Sequence, residues 1–82
     1  MKSVAGENTD LNFKGEKFHI QTEDWAENGQ IIVTRVFKSG LVIKTFRLNY
    51  TKIKDVEKLE SRRKAVIKLH QFVIDKIYNS EI

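Results

Sequence analysis

Residues 30–48, QIIVTRVFKSGLVIKTFRL, hold two runs rich in β-branched and aromatic residues on either side of Lys38-Ser39-Gly40. Such side chains suit a pleated, half-buried surface, and neither run matches the period of a helix. The pair predicts a β-hairpin with a three-residue loop, Gly40 taking the left-handed conformation and making a bulge. In the first run Ile31, Val33, Arg35 and Phe37 alternate with Ile32, Thr34 and Val36. In the second, Leu41, Ile43 and Thr45 alternate with Val42, Lys44, Phe46 and Leu48. Both faces of the hairpin are therefore apolar, and each needs a cover.

Upstream, the alternation is that of a strand with one buried side. Phe18, Ile20 and Thr22 share one face, and Lys17, His19, Gln21 and Glu23 share the other. Residues 11–13 and 17–22 read as strands flanking a turn at Lys14-Gly15-Glu16, and residues 23–29 read as a loop with Asn28-Gly29 as its turn signal. Residues 1–10 are polar and aperiodic, which predicts a flexible arm and leaves 11–82 as one domain.

After Asn49-Tyr50 the period lengthens. Val66, Ile67, His70, Val73, Ile74 and Ile77 follow helical spacing, with Leu69 and Phe72 widening the stripe. Ile53, Val56 and Leu59 offer a weaker helical pattern, with Asp55 as a candidate N-cap. No Pro or Gly follows Gly40, so the pattern accommodates one long helix or two short ones. The expected fold class is α+β: an antiparallel three- to four-stranded meander followed by a C-terminal helix packed on one face. One helix cannot cover both sheet faces. The apolar surplus predicts a homodimer, with Phe37, Phe46, Leu69 and Phe72 as its interface.

Composition narrows the classes. A chain of 82 residues without cysteine has neither disulfide nor thiolate zinc site to supplement a small core. No apolar run approaches the ~20 residues of a membrane span and no signal-peptide core is present, so a cytoplasmic location without membrane insertion is expected. The net charge of +4 is unevenly spread. Residues 1–30 carry three basic against six acidic side chains, net −3, and residues 31–82 carry twelve against five, net +7. A basic half fits nucleic acid, an acidic partner, or the acidic half of the same or a second chain.

Candidate chemistry is sparse. His19 and Glu23 stand four residues apart on an extended strand, roughly 13 Å from each other at strand rise, too far to converge on a metal with Asp24. The Gln21-Thr22-Glu23-Asp24 segment reads as a hydrogen-bonding latch that satisfies nearby backbone groups. Trp25 either folds over the sheet end or stands exposed as an anchor for a partner. Ser61-Arg62-Arg63-Lys64, with Lys58 and Lys68, is the densest basic stretch, and a basic first turn opposes the helix dipole. Together with Arg35, Lys44 and Arg47 it is a candidate phosphate-tracking surface beside Phe37 and Phe46, though no nucleic-acid motif accompanies it. His70, within the apolar stripe, reads as a packed, hydrogen-bonding histidine, with a pH switch at a dimer interface as the alternative.

Phe18 to Asp24, FHIQTED, resembles a segment of a small bacterial domain found mainly in deltaproteobacteria and their relatives. That family combines an aromatic-His-Val/Ile-Gln-Thr-Glu-Asp segment with an Ile/Val-x-Thr strand ending in Phe and a Gly-led return strand. A Tyr and a His-bearing C-terminal helix follow. Residues 32–37 and 40–45, Tyr50, and His70 with Val73 and Ile74 stand in the matching places. The chain departs from the pattern at Phe46, where the family has a polar residue, and in the short segment after Tyr50. The resemblance implies one domain over residues 11–78 and no established activity.

No nucleophile is paired with a base, which argues against an enzyme, and no cofactor is expected. The expected function is a non-enzymatic interaction or adaptor module, homodimeric, binding another protein. Its contact residues are Trp25, Arg35, Lys44, Arg47, Arg62, Arg63 and Lys64, and the alternative is nucleic-acid binding through the basic half.

Overall fold

Turn chemistry sets the architecture. Phe13 pairs with Glu16 and Lys38 with Leu41, so the first and last hairpin loops have two residues each. Lys14 and Gly15 take φ of 52° and 77°, and Ser39 and Gly40 take 53° and 77°. Two successive left-handed residues make the turn whose twist matches that of the flanking strands. The computed structural model describes residues 1–82, with strands β1 (Glu7–Phe13), β2 (Glu16–Trp25), β3 (Ile31–Lys38) and β4 (Leu41–Asn49), then one helix, α1 (Leu59–Tyr78). The sheet order is β1-β2-β3-β4, an antiparallel meander with the helix packed on it, as the periodicities predict.

The details depart from those expectations in four places. The β3–β4 hairpin has a two-residue loop rather than three, and its bulge lies further along. Val36 pairs with Lys44 and Phe37 with Val42, so Ile43 is the extra residue. That bulge moves Val42 onto the side of Phe37, whereas strict alternation had placed it with Phe46. Second, β2 runs through Trp25, and Glu23, Asp24 and Trp25 are strand residues instead of a loop. Third, residues 7–10 belong to β1, and the residues before them are tied down: the Val4 N–H donates to Asp24 Oδ2 at 3.0 Å. Gly6 lies so close to β2 that a Cβ would overlap the Thr22 carbonyl oxygen. Fourth, Asp55 caps nothing. Tyr50–Lys52 form a single 3₁₀ turn, Asp55 takes a left-handed φ of 54°, and one helix begins at Leu59.

Helix α1 covers one face only. Leu11, Phe18, Ile20 and Val36 meet Val73, Ile74 and Ile77 in one cluster, and Ala26, Ile32 and Tyr50 meet Val66 in a second. The paired Thr22 and Thr34 lie between them, where His70 reaches the sheet. On the open face Val33 is only 2% exposed although no element crosses it. Its register neighbours are Glu23 and Arg47, and the adjacent Arg35 stacks on Trp25 with the guanidinium 5.1 Å from the ring. Long polar side chains thus cover Val33, while Ile31 and Phe37 on the same face stay partly exposed and Val42 stays exposed.

Candidate functional site

The helix is offset across the sheet. It packs chiefly on β2, then on β1 and β3, with no comparable packing on β4. Strand β4 is last in the sheet order and so an edge strand with one side of its backbone unpaired, and Leu41, Val42 and Ile43 along it are exposed. The other edge, β1, presents Asn8, Asp10 and Asn12 to the open face and meets α1 on the opposite face. Exposed apolar edges are uncommon because they recruit further strands.

Beside β4 the offset leaves an open groove of about 620 Å³ between the strand, residues 52–55 and α1. Leu48, Ile53, Ala65, Leu69 and Phe72 supply its apolar lining. Lys52, Lys54, Lys64 and Lys68 rim it, with Asp55 as the one acidic side chain. All four lysines are exposed, and none forms an ion pair. Phe72, half exposed, meets Phe46 edge-on at 6.3 Å, and Lys44 lies 5.8 Å from the Phe46 ring. The groove combines an apolar floor with uncompensated positive charge, and the unpaired edge of β4 borders it at Leu48.

The residues expected to contact a partner separate. Arg62 is fully buried and cannot do so. Its Nε donates to Asp24 Oδ2 at 3.1 Å, and its Nη atoms donate to the Val56 and Lys2 carbonyls. Arg63 is likewise engaged, bonded to the Ala5 carbonyl at 2.8 Å and to Glu7 Oε2 at 3.0 Å. The basic first turn of α1 therefore binds the N-terminal residues. Trp25, Arg35 and Arg47 lie on the open face, the Trp25 indole N–H donating to Glu23 Oε2 at 3.3 Å. Lys44 and Lys64 lie on the helix side. Phe37 sits against His19 on the open face, away from Phe46, Leu69 and Phe72, so one flat interface cannot bury all four. Arg35 and Arg47 are likewise separated by the sheet from Lys44 and Phe46, which divides the expected phosphate-tracking surface.

Two polar clusters lie between the sheet and α1. Asp24 accepts from the Tyr50 hydroxyl as well as from Arg62 and Val4. Burial and the neighbouring Asp24 carboxylate push the Tyr50 phenol well above its ordinary range. His70 is held at 2.7 Å from Thr22 Oγ1 through Nδ1 and at 2.8 Å from Thr9 Oγ1 through Nε2. Burial lowers its pKa, and Glu7 opposes that shift. The sheet separates His19 and Glu23 from Asp24 and His70. His19 instead pairs with Asp10 at 2.8 Å beside a shallow hollow that Ser39 also lines, with no hydroxyl hydrogen-bonded to its other nitrogen.

Sequence reasoning singled out Lys64 but missed Lys52 and Lys54 as its companions. The only signal was their flanking of Ile53, in a segment that reads as weakly helical. No family model matches the chain, and no curated protein or solved structure matches it either.

Proposed function

We propose that the chain is a non-enzymatic protein-interaction module that receives a segment of another protein as an added strand on β4. The observation that carries this reading is the unpaired β4 edge bordering an apolar groove. Strand addition draws affinity from backbone hydrogen bonds and selectivity from pockets for alternate side chains. Beyond the bulge at Ile43, residues 44–49 form the regular part of the edge, with Lys44, Phe46 and Leu48 facing the groove side. Selection from a random peptide library, followed by amide chemical-shift mapping, tests it. Selected peptides are expected to shift residues 43–49 and 64–72. Selection of none, or shifts confined to the open face, would sink the reading.

A second reading, nucleic-acid binding, draws on the same unpaired lysines. It predicts binding to random-sequence DNA or RNA that falls steeply with salt. Leu48, Ile53, Ala65 and Leu69 make the floor mainly aliphatic, with Phe72 as its one aromatic side chain, and this favours a peptide, because stacking platforms for bases are aromatic.

A further inference from the structure

We propose that the segment received beside β4 is acidic: a large apolar residue flanked, two positions away on either side, by carboxylates. The inference rests on the reading of β4 as a docking strand and adds the chemistry of what docks. In a strand laid along residues 44–49, alternate side chains point into the groove, spaced by roughly 6.6 Å. The apolar floor, Leu48, Leu69 and Phe72, takes one large side chain. The positions two residues before and after it reach the rim, where Lys64 and Lys68 extend from consecutive turns of α1 and Lys52 and Lys54 from the loop. Positions i and i+4 on a helix are neighbours, so the two helical lysines present adjacent charges.

Charge decides among occupants. Asp55 is the only carboxylate lining the groove, and the four lysines have no ion-pair partner within the chain. A neutral or basic strand would leave that potential unanswered, whereas an acidic one is steered towards it and held in register. A second copy of this chain would bring another set of lysines to the same place.

The test uses three labelled peptides with one β-prone framework and a central Leu, flanked at the alternate positions by Glu, by Gln or by Lys. Binding to the full chain is followed by fluorescence anisotropy at low and high salt, with amide shifts locating each complex. The Glu peptide is expected to bind about tenfold more tightly than the Gln peptide at low salt, as a few exposed ion pairs allow. High salt should erase the difference. Combining Lys52→Gln, Lys54→Gln, Lys64→Gln and Lys68→Gln should bring the affinity for the Glu peptide down to that for the Gln peptide. Equal affinity of the Glu and Gln peptides, with shifts on β4, overturns the acidic assignment and leaves the docking strand standing. Failure of all three to perturb β4 overturns both. Tighter binding of a random single-stranded oligonucleotide at the same lysines replaces the peptide with nucleic acid. A β4-mediated dimer that excludes every peptide makes a second copy the occupant.

Discussion

Asp24 and Arg62 show how a charged side chain becomes structural. Both are buried, and every buried side-chain donor and acceptor in the molecule has a partner. Removing one member of such a pair leaves the other charge buried and uncompensated, at roughly 3–5 kcal/mol. A small domain has about 5–15 kcal/mol of stability in all. Arg62→Met is therefore expected to unfold the chain or lower its denaturation midpoint sharply. Asp24→Asn combined with Arg62→Met should cost less than the sum of the singles. Urea titration of the three variants checks this, and additive losses would contradict the coupling. His70 gives a pH dependence of known sign. The folded state keeps it neutral, mainly through burial. The unfolded chain takes up the proton as pH falls through about 6.5. Stability is therefore full above that value and declines as pH drops from it towards the lowered folded pKa, by at most about 1.4 kcal/mol per pH unit. Urea unfolding of wild type and His70→Gln at about pH 7 and about pH 5 isolates the effect. An unchanged slope in His70→Gln would assign it to other groups.

Among the elements, the hairpins carry the clearest stability prediction. At Gly40, with φ at 77°, a β-branched side chain is strained, so Gly40→Val should destabilise by roughly 1–2 kcal/mol. Ser39, at φ 53°, occupies the first left-handed position of the same turn. Ser39→Asn should stabilise by roughly 0.5–1 kcal/mol, because Asn tolerates that conformation. Thermal unfolding reads both, and a Ser39→Asn variant less stable than wild type would contradict the turn assignment. The meander and the helix were legible because hydrophobic period survives without context: alternation in residues 17–22 and helical spacing in 66–77 each name one buried side, although Ile67 of the expected stripe stands 45% exposed. What escaped was polar or long-range. Asp24 sits on the buried face of β2 but breaks its apolar alternation, so the sequence reads the strand as ending at Thr22. Arg62 reads as one member of a basic run until Asp24, 38 residues away, is placed against it. Residues 2–6 have no pattern of their own, being held by Arg62 and Arg63 near the start of the helix and by Asp24 of β2. The groove follows from the sideways offset of α1, which no periodicity encodes.

At the scale of the whole molecule, the unpaired edge allows two uses, and charge sets them apart. A second copy can pair through β4 in an antiparallel register centred on Phe46, which sets Lys44 opposite Leu48 and Arg47 opposite Thr45. No two cations then face each other directly, and the exposed residues near Ile43 gain neighbours. Even so, the lysine rims of both grooves come together on one side of the joined sheet. Their mutual repulsion weakens as salt shortens the Debye length from about 10 Å at 0.1 M to about 3 Å at 1 M. Self-association is thus expected to strengthen with salt, whereas capture of an acidic segment weakens. Sedimentation at the two concentrations should show the dimer fraction rising with salt. Phe72→Glu, beside the shared groove, should alter that fraction. Phe37→Glu, on the opposite face, should leave it unchanged. A dimer that dissociates as salt rises would require the acidic β1 side of one copy to meet the basic β4 side of the next. That arrangement is head-to-tail and does not close at two, so it would appear as species larger than a dimer in the same experiment.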